Sequence, residues 1–270
     1  MLSERIYLSD DKRAYLDTYV SEFRNNRRRD AMLVIPGGGY SHVCSDREGE
    51  QIALAYAARG FNAFVLTYRV AEPEDTYPTQ LIDACRAVLH IKANKDKYFI
   101  DPERIFAVGF SAGGHLAGSL GLLAKDKAIL DTLGVSSDAV KIRGMVLAYP
   151  VVTAMTDTHF KSFERLAGKP IDEIPEEIKR KLSLEENVDE NSPPAFIWHT
   201  AEDAGVPVVG SLRLAESYVK NKVPVALHVY PYGGHGLALS DGFSNNNPES
   251  AQPLAARWLS DSVEFIKTLK

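Results

Sequence analysis

From residue 31 onward, short unbroken apolar runs alternate with segments of helical pattern, and that alternation limits the fold more than any other feature of the chain. The runs are Ala31–Ile35, Ala63–Tyr68, Ile105–Phe110, Met145–Tyr149, Ala195–His199 and Val225–Tyr230. A strand that is apolar at every position, not at every second one, is buried on both faces. Between the runs lie predicted helices. One spans Glu48–Arg59 and closes at Gly60, a fitting residue just past a helix end. Another opens at Tyr77-Pro78 and runs to about Ala93, with Leu81, Ala84, Cys85, Val88 and Leu89 on one face. A third follows Ser111, a fourth covers Val208–Asn221, and a last one spans 251–269. This order specifies an α/β fold, a mostly parallel central sheet with helices on both faces.

Residues 4–24 alternate in character (Ile6, Leu8, then Ala14, Leu16, Thr18, Val20) and predict a starting hairpin. The stretch 151–192 breaks the rhythm: it is charged, contains Pro170 and Pro175, and shows helical but no strand pattern. We read it as a small cap insertion over the C-terminal edge of the sheet, where open α/β sheets bind ligands. A solvated excursion without a role is the alternative. Residues 1–270 are read as a single domain, a length that suits one large α/β unit.

Gly109-Phe110-Ser111-Ala112-Gly113 is a G-x-S-x-G pentapeptide at the junction of a predicted strand and a Gly/Ala/Leu-rich helix. There a serine is held on a tight turn with its hydroxyl exposed and backbone N–H groups nearby. Glycines on both sides avoid collisions with the adjoining strand and helix. A serine hydroxyl is a poor nucleophile near neutral pH and needs an adjacent base. In this strand–turn–helix setting the partners follow as Ser, acid, His.

Of the downstream histidines, His228 lies within a strand, His199 ends one, His115 sits on the helix behind Ser111, and His159 falls in the insertion. His235 stands in Gly233-Gly234-His235-Gly236, after the sixth apolar run, where flanking glycines let the backbone bring an imidazole close to another loop. The acid is expected from the loop after Ala195–His199, with Asp203 chosen and Glu202 in reserve; a cap for the next helix is the plainer role for Asp203. Pro36-Gly37-Gly38-Gly39-Tyr40 directly follows the first apolar run. The N–H groups of Gly38, Gly39 and Ala112 would form an oxyanion hole. A phosphate-cradling loop is the rival, but neither Gly-Lys-Ser/Thr nor G-x-G-x-x-G occurs.

Composition narrows the partners. Net charge is −5, and no basic stripe follows a predicted helix, which argues against nucleic acid. Arg27-Arg28-Arg29, after Asn25-Asn26, reads as a solvated hairpin turn in preference to an anion site. Two cysteines, Cys44 and Cys85, are too few for a disulfide framework and lack metal-like spacing. No apolar stretch approaches the roughly 20 residues that span a bilayer. The N-terminal residues lack a signal-like apolar segment, so the expectation is a soluble cytoplasmic protein without membrane partners. The oligomeric state, homo-oligomer included, stays open.

The glycine loop, the Gly-Phe-Ser-Ala-Gly-Gly-His elbow, Tyr77-Pro78 followed by Asp83, and Asp101-Pro102-Glu103-Arg104-Ile105 together resemble the α/β-hydrolase superfamily. Within it they look most like the esterase/lipase and acetyl-xylan-esterase-like branch. The resemblance runs from about residue 31 to the end of the chain. It implies the α/β-hydrolase fold and hydrolysis of carboxylic esters by Ser111, Asp203 and His235; acetyl groups on sugars are frequent substrates in that branch. Many of its members begin the oxyanion loop with His where this chain has Pro36. The resemblance also implies that Asp83 and Arg69 order loops from buried positions and that Glu48 and Glu50 sit at a helix N-terminus. Tyr40 lines the acyl pocket or packs the loop.

The reaction expected is a two-step acyl transfer on a small-molecule ester without metal or organic cofactor, weakening on the acid side because only neutral imidazole is a base. Amide cleavage by a small peptidase or formamidase is the enzymatic rival, since the same three residues serve both bonds. A non-catalytic binding protein on the same fold is the third reading.

Overall fold

The computed structural model describes residues 1–22, 27–70, 72–244 and 247–269. Eight strands form one sheet: β1 (Arg5–Tyr7), β2 (Tyr15–Tyr19), β3 (Arg29–Ile35), β4 (Asn62–Thr67), β5 (Ile100–Phe110), β6 (Gly144–Ala148), β7 (Ala195–Thr200) and β8 (Val225–Tyr230). Their spatial order is β1-β2-β4-β3-β5-β6-β7-β8. The hairpin β1–β2 joins β4 antiparallel, and every other neighbouring pair is parallel. This is the α/β-hydrolase architecture expected from the sequence.

The unbroken apolar runs are explained by a core on each face. Along β3, Ala31, Leu33 and Ile35 enter one core while Met32 and Val34 enter the other. Phe196 and Trp198 of β7 likewise oppose Ala195 and Ile197. The first core is covered by the helices Thr79–Ala93, Ala112–Leu122 and Val209–Lys220. The second is covered by Glu50–Ala57 and Trp258–Thr268. Cys44 and Cys85 are both buried as free thiols.

The chain leaves β3 for β4 on one side and returns to β5 on the other, so the strand order reverses at β3. A crevice opens outside the C-terminal ends of strands at such a reversal. The glycine loop after β3 and Ser111 after β5 therefore meet there.

Three boundaries differ from the sequence expectation. The helix expected over Glu48–Arg59 is two, Ser45–Glu48 and Glu50–Ala57. They are broken at Gly49, where a Cβ would stand 2.5 Å from the Ser45 carbonyl oxygen. The closing helix starts at Trp258 and not at 251: Pro253 disfavours helical backbone at Gln252, and Ala255–Arg257 first winds as a tighter 3-10 turn. β5 begins at Ile100, earlier than the apolar run. Of the basic turn, Asn25-Asn26 lies outside the described residues, while Arg29 opens β3 and Arg28 donates to Lys95 O, Ile100 O and Asp96. Among the described residues, no helix is long and apolar enough to cross a membrane.

Candidate active site

Ser111 sits between β5 and the helix Ala112–Leu122 with φ 53° and ψ −121°, a left-handed backbone that costs a non-glycine residue roughly 1–3 kcal/mol. The turn closes because its glycines permit contact. A Cβ on Gly109 would lie 2.2 Å from Gly113 O, and one on Gly113 would lie 2.2 Å from Ile35 O of β3. The Ser111 N–H donates to Ala148 O of β6 at 3.0 Å. Its hydroxyl thus emerges at the edge where β3, β5 and β6 end.

Two further strand-end loops supply a hydrogen-bonded chain to that hydroxyl. His235 Nε2 is 2.7 Å from Ser111 Oγ, and His235 Nδ1 is 2.7 Å from Asp203 Oδ2. Asp203 follows β7 and is buried; its Oδ1 accepts the N–H groups of Gly205 and Val206 at 2.9 and 2.8 Å. Burial alone would raise its pKa. Hydrogen bonds from His199 and His235, the charge of His235 and the Val206 amide outweigh burial and hold the carboxyl well below its usual range. Because the carboxylate can only accept, His235 carries its proton on Nδ1 and presents Nε2 as the acceptor for the Ser111 O–H.

Ser111, His235, Gly38 and Gly39 line one cleft of about 340 Å³, together with Ser41, His42, Arg47, Glu48, His159 and Arg165. Gly38 has φ 124° and Gly39 φ 61°, and a Cβ on Gly38 would fall 2.1 Å from His42 O. Among the described residues, the N–H groups of Gly38 and Gly39 donate to no protein acceptor. That of Ala112 is one of the unpaired amides of a helix first turn. The site therefore brings together a hydroxyl, an imidazole bonded to a buried carboxylate, and spare backbone donors.

Residues 16–218 match the BD-FAE family. The chain belongs to the BD-FAE family. Endo-1,4-beta-xylanase B of Butyrivibrio fibrisolvens is 40% identical over 240 residues, covering 86% of this chain and 37% of that protein. Acetylxylan esterase of Xylanibacter ruminicola is 28% identical over 238 residues, 87% of this chain and 46% of that protein. The chain spans less than half the length of both. Among solved structures, the acetyl ester-xyloside bifunctional hydrolase from Caldicellulosiruptor lactoaceticus superposes with a TM-score of 0.79 at 32% identity, covering 97% of each chain. The relatives by sequence and by structure thus include proteins named as ester hydrolases.

Several residues of this BD-FAE chain take places other than those read from sequence. Tyr40 does not line the cleft. Its ring packs in the core edge-on to Tyr68 and His115, and its hydroxyl is 2.7 Å from His115 Nδ1. An aromatic beside a glycine loop has no pattern that tells pocket from core. Glu202 does not reach His235; its carboxylate accepts the Gly233 N–H at 3.1 Å and so ties down the base of the histidine loop. Glu50 does open a helix, but Glu48 ends the preceding one and is buried. Its Oε2 accepts the Gly37 N–H at 2.7 Å and its Oε1 the Tyr149 O–H at 2.8 Å. Asp83 is fully buried and pairs with Arg69 at 2.7 Å, as expected, whereas Arg69 itself is only partly buried.

His199, which by sequence simply ends a strand, has a larger part. Its Nε2 lies 3.2 Å from Asp203 Oδ2 and 2.9 Å from Val206 O, so it donates to both, while Nδ1 accepts from Ser211 Oγ at 2.8 Å. The Asp203 carboxylate is thus held by two imidazoles. The spacing His199-x-x-x-Asp203 was visible, but only the turn after β7 folds one residue back on the other. His115 performs a similar service behind the elbow. Nε2 donates to Leu182 O at 2.7 Å, which leaves Nδ1 to accept from Tyr40 Oη; burial lowers its pKa to about 4. It links the elbow helix, the glycine loop and the 151–192 stretch. That stretch also reaches the cleft directly, where Arg165 Nη1 donates to Gly39 O at 3.0 Å and His159 lies beside it. Burial, reinforced by the charges of His235, Arg165 and Lys161, lowers the pKa of His159.

Proposed function

We propose that the chain hydrolyses short-chain carboxylic esters, foremost acetyl esters of small sugars or oligosaccharides, through an acyl-enzyme on Ser111. The observation that carries this reading is the pair of 2.7 Å contacts running from Ser111 through His235 to Asp203 on a strained elbow. In it, His235 Nε2 takes the hydroxyl proton as Ser111 Oγ bonds to the ester carbonyl carbon. Asp203 keeps the imidazole in the required tautomer and stabilises the imidazolium without taking the proton. The oxyanion rests on the N–H groups of Gly38, Gly39 and Ala112. His235 then returns the proton to the departing alcohol oxygen, and the same nitrogen activates the water that releases the acid.

The sugar preference draws support from two sides. The acetylxylan esterase and the acetyl ester-xyloside hydrolase are relatives by sequence and by structure. The cleft is lined by Ser41, His42, His159 and Arg165, groups that hydrogen-bond hydroxyls. Residues 151–192 serve in this reading as a cap that shapes the alcohol side of the cleft, through His159 and Arg165.

A p-nitrophenyl ester series from C2 to C8, followed by acetylated xylo-oligosaccharides and a matched acetanilide, tests the proposal. Turnover is expected to peak at C2 and to fall at least tenfold by C8, with acetate released from the sugars. A maximum at C6–C8, or faster cleavage of the anilide than of the ester, would overturn it.

A further inference from the structure

Glu48 is a nearly fully buried carboxylate that lines the cleft, and the reaction as written above assigns it nothing. Burying a carboxylate is costly unless its oxygens are hydrogen-bonded. Here one oxygen holds the Gly37 N–H, the first amide of the glycine loop. The other accepts from Tyr149 Oη, and that hydroxyl in turn accepts the Ala238 N–H at 3.0 Å. Ala238 lies three residues beyond His235, and Trp258 Nε1 donates to its carbonyl at 3.0 Å. Tyr149 and Ala238 both hold left-handed φ, 35° and 50°. The Tyr149 ring also meets the His235 ring edge-on, with centroids 5.1 Å apart. One carboxylate therefore joins, through Tyr149, the loop after β3 to the loop after β8, and lines the same cleft as Ser111.

We infer that Glu48 is a positioning residue, locking the oxyanion loop to the histidine loop and placing a fixed negative charge near the imidazole that must become positive. The inference rests on the roles proposed above for Ser111 and His235. With Gly37 pinned, Gly38 and Gly39 are left to aim their amides into the cleft; without the pin, a loop of three glycines has many other conformations. Preorganised donors stabilise a developing oxyanion because they need not reorient as the reaction proceeds.

The charged and titratable groups that face this carboxylate are Arg47 and Cys44 from its own segment, Tyr68 at the end of β4, Tyr149 beyond β6, and His235. Arg47 Nε is 4.0 Å from Oε1, too far for a hydrogen bond, so among the described residues no cation hydrogen-bonds the carboxylate. Burial raises the Glu48 pKa, against the opposing pull of the Gly37 amide, the Tyr149 hydroxyl, Arg47 and His235.

The test compares Glu48→Gln, Glu48→Ala and Tyr149→Phe with the unaltered chain and with Ser111→Ala, using p-nitrophenyl acetate. Each kcat is referred to protein shown to be folded by circular dichroism. Glu48→Ala is expected to lower kcat about 10²-fold, the scale of a lost oxyanion donor, with KM within about threefold. Glu48→Gln keeps an acceptor for Gly37 and is expected to recover part of that loss. Its acidic limb of kcat/KM moves to lower pH, because a negative charge that favours imidazolium is gone and no carboxyl titrates there. Tyr149→Phe cuts the link to Ala238 and is expected to lower kcat about tenfold. If Glu48→Ala does not fold, the other two variants decide. Wild-type kcat and acidic limb in Glu48→Gln, or losses confined to KM or thermal stability, overturn the inference while an inactive Ser111→Ala leaves the catalytic reading standing. An active Ser111→Ala overturns both.

Discussion

Two clefts lie at opposite ends of the sheet. The larger, about 490 Å³, is at the N-terminal ends of the strands and is lined by Arg27, Arg28, Arg29, Arg59 and Arg104. The smaller, about 340 Å³, holds Ser111. In the larger, Arg104 is paired with Asp30 and with Leu269 O, Arg28 with Asp96 and two carbonyls, and Arg59 with Ala55 O. No non-glycine residue lining it has a left-handed φ. Around the smaller cleft, Tyr40, Ser111, Tyr149 and Ala238 all do, the buried Glu48 carboxylate lines it, and the buried imidazoles of His115 and His199 stand behind it. Strain persists only where surrounding contacts over-determine it. Volume and charge density thus say less about function than the number of separate loops forced into costly conformations around one atom.

The difference between the two clefts is largest at Ser111. Ser111→Ala is expected to lower turnover of p-nitrophenyl acetate by about 10⁶; retention of a tenth of the activity would mean that the chemistry lies elsewhere. Asp203→Asn is expected to cost about 10⁴ in kcat, by releasing His235 from its tautomer. Glu202→Gln, one residue away and bonded to the base of the histidine loop, should stay within about fivefold; equal effects of the two would erase the distinction between them.

Acid stability sharpens the picture of the buried histidines. His115 is held neutral, with its pKa lowered from 6.5 to about 4 by burial. The unfolded chain binds that proton first, so this part of the stability is complete above about pH 6.5 and is lost as pH falls towards 4, a change of about 3 kcal/mol. Urea midpoints between pH 7 and pH 4.5 read it directly, and His115→Gln should flatten the slope. The smallest effect is expected at the other end of the sheet. Arg28→Ala and Arg59→Ala should leave kcat/KM within about twofold, and a tenfold loss would give the basic cleft a part in the reaction.

Much of this arrangement was legible in the chain. Buried strands announce themselves by unbroken apolar runs, and Ser111, Asp203 and His235 stand out in the loops just after β5, β7 and β8 by their glycine-rich or acidic turn chemistry. Gly49 shows where pattern reading stops: one glycine in a helical stretch looks tolerable until the Ser45 carbonyl is seen beneath it. Tyr40 is a second case, an aromatic whose partners, Tyr68 and His115, come from distant segments.

The two-faced sheet, the elbow and the loops that flank it could be read from the chain alone, because strand burial, tight turns and glycine requirements are properties of neighbouring residues. Only the tertiary structure decided the supporting contacts: His199 on Asp203, Glu48 between Gly37 and Tyr149, and His115 between Tyr40 and Leu182. Those depend on which buried polar atoms are left facing each other once the sheet is closed over by its helices. A polar group taken out of water must find a partner, and the fold, not the local sequence, chooses it.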